Sequence, residues 1–556
     1  MNVMDNHPSV DGLLPSTPES LQIEQAPTGI NAGREVSVYN NNQCLLLDLP
    51  VELESVLIRY LGFREITRLA KVCRYLRDFI KEDKALERAW IRRFPSPQKY
   101  QLRTTIKTKD EQQIRDWLQP FANTDTIESL IKQRETTHFP AQLLFTYSKL
   151  MSECETFKLV PKAKITHSCQ IYDADFSADN LHVVTTSFDK RAIITGQKTD
   201  GSWETKATID HKTCFLSATF TTDGRQMATV CSDPMVKICG QDDDGSWKVK
   251  AIIYHKSPVI SATFSANDQQ LLTACVYGTL KIYEQETDGS WEAKYTIHHN
   301  ALVTSVGFSA DANHLFVLTD DKHDKNATIY GLEHDGTWGV KTTIYHNDSV
   351  SSATFSADGR SLVTASLDGT AKIYGPQADG SWGEMTTITH KNAVKSASFS
   401  PDDRLVVTAS LDKTVKIHER QTNGLWETKY TFCQNAWVLS ATFSADGHHI
   451  VTTDCLDTIK IYSLQADGSW EETASITHER YVLSANFSPD SCLVVTAGDD
   501  KAAKIYGLGP DGSWIKKAII SHGPVITSAK FSPDGRNVVA VCADYTARIT
   551  ELWRGD

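Results

Sequence analysis

Eight tryptophans recur at almost equal intervals along most of this chain. Trp203, Trp247, Trp291, Trp338, Trp382, Trp426, Trp470 and Trp514 each close a turn of the form Asp/Asn-Gly-X-Trp, and the steps between them are 44 residues with one step of 47. A strict repeat obliges each unit to bury its apolar residues against its neighbours, and a period of 40 to 45 with strand-rich content marks propeller blades.

One unit, from His346, contains four β-rich runs: VSSATFS, SLVTAS, TAKIYG and the segment after Trp382. Asp379-Gly380 reads as the two-residue signal of a tight hairpin between the third and fourth strands. Units open at positions 167, 211, 255, 299, 346, 390, 434, 478 and 522, and the last runs out near Trp553 without a fourth strand. Residues 156–166 supply a candidate strand to close the ring, which would remove exposed sheet edges. Nine blades is the arithmetic, and eight stays open if the first or last unit is distorted. The expected fold is mainly β: a closed β-propeller of eight or nine four-stranded blades over residues 156–556, preceded by small helical elements.

Bulk properties narrow the function classes. A net charge of −12 argues against a general nucleic-acid binder, which needs surplus Lys and Arg to neutralise phosphates. The 12 cysteines include no C-x-x-C pair, so neither a zinc site nor a redox motif is expected and the thiols read as buried and free. No secretory pattern opens the chain and no run of about 18 apolar residues occurs. The cytoplasm or nucleus is the expected compartment.

Residues 1–43 are rich in Pro, Asn, Ser and Gly and read as a flexible tail. From Leu49 the pattern turns helical: Leu53, Val56, Leu57, Tyr60 and Leu61 form one apolar stripe. Further stripes hold Ile66, Leu69, Ala70 and Cys73, then Leu76, Phe79 and Ile80, then Leu86, Trp90, Ile91 and Phe94. The stretch LPVELESVLIRYLGFREITRLAKVCRYLRDFI, with Trp90, resembles the F-box. That resemblance implies a Skp-type adaptor bound by residues 44–95 and, through it, a cullin scaffold and a ubiquitin ligase. Leu49, Pro50, Leu53, Val56, Leu57, Leu61, Leu69, Val72 and Leu76 match the family's apolar positions, with Pro50, Leu53 and Leu57 expected at the adaptor contact. The plainer reading is a small helical bundle packing on itself. Residues 96–155 read as a helical spacer, carrying Ile114, Trp117, Leu118, Leu143, Leu144, Tyr147 and Leu150.

The repeat also resembles the WD repeat, with a His opening each unit, SxDGR after the first strand and an Asp 22 residues after the His. The resemblance implies that each His bonds its Asp and that Ser and Trp complete a network stiffening the blade. The pairs are His167/Asp189, His211/Asp233, His346/Asp368, His390/Asp412, His478/Asp500 and His522/Asp544. The third-strand Trp is replaced by Tyr in five units. One unit opens with Gln434 and has Leu456 in the Asp place, so both partners disappear together; the unit from His255 carries Tyr277 there. On this reading His346→Ala costs stability and Gln434→Ala costs much less.

Histidine and aspartate repeated in every blade read as structure, since a catalytic site is one constellation in one place. The expectation is a non-catalytic receptor without cofactor or metal. Function is sought where the repeat breaks: Trp437, Arg480 and Tyr481 combine, in adjacent blades, residue types that dominate binding hot spots. Lys190, Lys212, Lys256, Lys391, Lys395, Lys413 and Lys501 fall on loops expected on the same face. Three identities stay open: substrate receptor of a cullin ligase, non-ligase propeller scaffold, and bacterial effector acting on a host ligase from the host cytoplasm.

Overall fold

The computed structural model describes residues 111–119, 122, 124–132, 143, 150 and 154–554, apart from 199, 243, 322–323, 378–380, 466 and 510–511. The tail and the F-box-like stretch, including every residue matched to the adaptor contact, lie outside the described residues.

Each repeat folds as one four-stranded antiparallel sheet, and the described residues form nine such sheets. Blades 1 to 8 span residues 171–210, 215–254, 259–298, 303–345, 350–389, 394–433, 438–477 and 482–521. Blade 9 takes three strands from residues 526–554 and its fourth from Phe157–Thr166. This strand runs antiparallel to Thr546–Arg554, with Phe157 opposite Arg554 and Thr166 opposite Thr546. The ring therefore has nine blades, closed by the strand expected to close it.

Burial explains the sequence of each strand. Second strands, such as Leu493–Gly498, are buried throughout, their apolar residues flanking a buried Thr such as Thr496. Fourth strands, such as Trp426–Cys433, bury Trp426 and expose much of the rest. The core lies between blades. In one seam Val363, Ala365, Ala371 and Ile373 of blade 5 meet Val394, Ala397, Phe399 and Trp426 of blade 6. The repeated tryptophans thus fill the seams: Trp247 packs against His182 of the preceding blade, ring centroids 5.2 Å apart, as well as Phe220 of its own.

Inner strands are also stitched by hydroxyl groups. Ser396 Oγ accepts from Ala441 N–H at 3.1 Å, and Ser484 Oγ from Ala529 N–H at 3.2 Å. At the closing seam an ion pair stands in this place, Lys530 Nζ reaching Asp173 at 3.0 Å and Asp175 at 3.6 Å.

Asp379-Gly380 itself lies outside the described residues, but the described hairpins between third and fourth strands are not two-residue turns. Gln421 N–H donates to Leu425 O at 2.7 Å and Gly424 N–H to Gln421 O at 2.9 Å, which encloses a three-residue loop. Asn423 Oδ1 caps Leu425 N–H at 2.9 Å, and Gly424 takes the left-handed conformation, φ 84°, that ends a type I turn in a bulge. The Asp/Asn-Gly pair is required by the cap and the left-handed residue rather than by a type I′ turn.

Before the propeller, helix α1 (Glu111–Leu118) and helix α2 (Thr124–Ile131) are joined by Arg115 Nε to Glu128 Oε1 at 2.9 Å. Ile114 and Leu118, then Ile127, Leu130 and Ile131, bury their stripes in the core that also holds Phe157, Ile526 and Leu552. The buried Lys517 donates to Cys154 O at 2.5 Å, satisfying its ammonium where the spacer enters the first strand.

Candidate functional site

Each blade begins with a loop that brings the opening residue against the turn between its second and third strands. In blade 6, His390 Nδ1 meets Asp412 Oδ2 at 3.0 Å while Nε2 meets Thr408 Oγ1 at 2.9 Å. Asp412 also accepts from Lys391 N–H at 2.9 Å, Thr414 N–H at 2.9 Å and Thr414 Oγ at 2.6 Å. The same His–Asp contacts measure 2.9 Å for His167/Asp189, 3.2 Å for His346/Asp368 and 2.9 Å for His478/Asp500. Burial would raise the Asp412 carboxyl, but the bonds from Thr414, Lys391 and His390 hold it at about 2. Burial pushes the His390 imidazole below its ordinary pKa against the pull of Asp412. Burial thus favours the neutral imidazole, and the contacts on both ring nitrogens use it to orient the turn.

Sequence reasoning missed the third partner. Thr185, Thr364, Thr408 and Thr496 each meet the histidine Nε2 at 2.8 to 2.9 Å, deep in the second strand. The signal was present as a Thr recurring 18 residues after the opening position.

Two expected pairs are rearranged. His522 Nδ1 meets Arg548 Nη1 at 3.0 Å, and Arg548 Nη2 in turn holds Asp544 at 3.3 Å, so a guanidinium stands between the two. Ala540 replaces the threonine there, and His522 Nε2 has no partner among the described residues. In blade 2, His211 Nδ1 meets the Cys231 thiol at 2.7 Å, and Nε2 keeps Thr229 at 3.0 Å. Blade 3 lacks the network: neither ring nitrogen of His255 meets a partner among the described residues.

Blade 7 corrects the expectation that both partners vanish. Gln434 Nε2 donates to Thr452 Oγ1 at 2.8 Å and to Tyr462 Oη at 3.2 Å. The carboxylate has moved two residues earlier, to the buried Asp454, which accepts Leu456 N–H at 2.9 Å and Thr458 N–H at 3.1 Å. Relieved of the turn, position 456 carries an exposed leucine.

That leucine belongs to an apolar sector. Trp437 is 51% exposed, Leu456 49% and Tyr481 59%, with Leu439 and Leu483 exposed beside them on the inner strands. Backbone bonds fix the grouping: Cys455 N–H to Trp437 O at 2.9 Å, Val482 N–H to Leu456 O at 3.0 Å, and Asp499 N–H to Tyr481 O at 2.9 Å. Arg480 borders the sector, its guanidinium 3.4 Å from Asp499. On the equivalent loops around the ring Lys190, Lys212, Lys256, Lys391, Lys413 and Lys501 are exposed, whereas Lys395, expected on a loop, lies half-buried in the strand Val394–Phe399. Lys190, Lys413 and Lys501 occupy left-handed turn positions, φ 66° to 69°.

The family described as WD domain, G-beta repeat matches residues 247–284, 339–375, 383–419, 470–507 and 511–550. No curated protein matches the chain. Among solved structures, the C-terminal WD40 domain of Sif2 is 12% identical, with 72% of this chain and 99% of that chain covered and a TM-score of 0.48. Sqt1 from Chaetomium thermophilum is 13% identical, with 62% and 96% covered and a TM-score of 0.47. No helix among the described residues is long and apolar enough to cross a membrane. Five segments of the chain thus match the WD40 repeat, and the described residues fold as a nine-bladed β-propeller, a fold suited to protein partners and typically a non-catalytic scaffold.

Proposed function

We propose that the chain is the substrate-recognition subunit of an SCF-type cullin ubiquitin ligase. Residues 44–95 hold a Skp-type adaptor and, through it, the cullin; the propeller holds a protein client. The observation that supports the client half is the exposed sector of Trp437, Leu456 and Tyr481. Contiguous exposed aromatics and leucines mark interaction surfaces, and an Arg beside them matches hot-spot composition. The adaptor half rests on the F-box-like sequence from Leu49 to Leu76. On this reading the protein works in the cytoplasm or nucleus, or in host cytoplasm if it is a bacterial effector recruiting the host ligase.

The test is co-purification of adaptor and cullin with the full chain. Pro50→Ala with Leu53→Ala is expected to abolish it while leaving the propeller's thermal midpoint unchanged. Unchanged capture of adaptor would leave the second reading, a propeller scaffold outside any ligase, for which the same exposed sector is the support.

A further inference from the structure

We propose that blade 2 holds a divalent transition-metal ion, Zn²⁺ by donor type, between His211, Cys231 and Asp233. One ligand atom from each of these three buried residues lies within 4.8 Å of the others. They come from three places that only the fold brings together: the opening loop, the end of the second strand and the following turn. A mixed nitrogen, sulfur and carboxylate set suits zinc, which takes Cys, His and Asp in tetrahedral sites.

The other blades act as internal controls. In blades 1, 5 and 6 the place of Cys231 is held by Ser187, Ser366 and Ser410, whose hydroxyls turn away to loop carbonyls at 2.9 to 3.1 Å. In blade 2 the sulfur turns toward the imidazole instead, at 2.7 Å. The turn around the carboxylate differs too. Asp412 accepts two backbone N–H groups and the Thr414 hydroxyl besides its histidine, whereas Asp233, 5% exposed, receives one backbone N–H, from Lys212 at 3.0 Å, with the Thr213 hydroxyl and the Cys231 thiol as its side-chain neighbours. Pro234 and Met235 follow it where Lys413 and Thr414 follow Asp412, and no cation pairs with it among the described residues. A bound cation would compensate the charge of a carboxylate buried beside a thiol and an imidazole. The Thr213 hydroxyl lies beside Cys231 and Asp233, so a fourth oxygen donor is at hand.

Binding releases the Cys231 thiol proton to solvent, and the thiolate and carboxylate together balance the two charges of the ion. Usual zinc bond lengths put nitrogen and sulfur ligands roughly 3.6 Å apart, so the sulfur moves about 1 Å off the imidazole. The C-x-x-C criterion applied to the sequence could not find such a site, because its ligands are spaced by blade geometry.

The experiment uses the full chain, stripped with chelator and titrated with Co²⁺. Wild type is expected to bind one equivalent with a thiolate-to-cobalt charge-transfer band in the near ultraviolet, displaced by Zn²⁺. Cys231→Ser, the residue that blades 1, 5 and 6 already carry there, folds and loses the band; Asp233→Asn weakens binding at least tenfold. Cys275→Ser, at the same place in blade 3 where Tyr277 replaces the aspartate, keeps it. Absence of the band in wild type, or its survival in Cys231→Ser, overturns the proposal.

Discussion

Blades 6 and 7 are neighbours of the same length and strand order, yet they hold the turn after their second strand in different ways. Blade 6 uses one carboxylate, Asp412, as the hub of four hydrogen bonds that tie the opening loop to the turn. Blade 7 splits these two roles between separate residues. Gln434 secures the opening loop through Thr452 and Tyr462, and Asp454 caps the turn alone. The fold needs the turn's N–H groups satisfied, not a particular residue at position 22. Once the carboxylate has moved, that position is free to face solvent, and in blade 7 it faces solvent with a leucine.

The largest effect expected from this contrast is at the hub. Asp412→Ala removes four bonds, leaves His390 Nδ1 with Thr414 Oγ1 alone and frees the turn N–H groups, for a loss of about 3 kcal/mol, since each orphaned polar group costs about 1 to 3 kcal/mol. Asp454→Ala removes two bonds and is expected to cost about 1.5 kcal/mol. Leu456→Ala should change stability by less than about 0.5 kcal/mol, as surface substitutions do. Urea midpoints of the three variants check the order. Equal losses at 412 and 454 would mean that the hub is no more than a turn cap.

The architecture was legible because the 44-residue period forces it, and the closing strand because blade 9 lacked one. Blade 7 was legible only in part. A sequence shows that Gln434 and Leu456 replace His and Asp, but not that Asp454 reaches the same turn from two residues away. Nor does it show that Gln434 is 7% exposed and bonded to Tyr462. Gln434→Ala is therefore no longer expected to be mild. Blade 2 was misread for the same reason: which way a cysteine in a serine's place turns depends on the donors around it. The exposed sector was legible in Trp437 and Tyr481, while Leu439, Leu456 and Leu483 complete it from strand and turn positions that no local pattern distinguishes.

If the freed position is functional rather than incidental, blades 6 and 7 should differ in what they bind. Trp437→Ala with Tyr481→Ala removes the two large exposed rings and is expected to weaken client capture at least tenfold, or about 1.4 kcal/mol, the low end for a hot-spot pair. Proximity labelling with the full chain identifies the client, and its affinity for the variant is then measured directly. Retention of full affinity would return both aromatics to packing roles and move the search to Lys391 and Lys413 of blade 6, which are exposed on the equivalent loops.

A pH-dependent effect sharpens the comparison from the other side, at a blade that kept its histidine and lost the partners. His255 is packed edge-on to Tyr283, ring centroids 6.1 Å apart, with neither nitrogen bonded among the described residues. Burial, and secondarily Lys281, lowers its pKa to about 4. The unfolded chain takes up a proton near pH 6.5 while the folded one does so only near 4, so unfolding is favoured progressively as pH falls through that window. The stability is fully present above pH 6.5 and is eroded below it, by on the order of 2 kcal/mol at pH 5 for one such group before solvent screening reduces it. His255→Phe keeps the edge-on ring contact and removes both the stranded nitrogens and the titration. At pH 7.5 the variant is expected to lie within about 1 kcal/mol of wild type. At pH 5 it should be the more stable of the two, read as a higher urea midpoint. A difference between variant and wild type that is the same at both pH values would show that His255 is protonated as easily in the blade as in the unfolded chain, and that burial without partners does not set its charge.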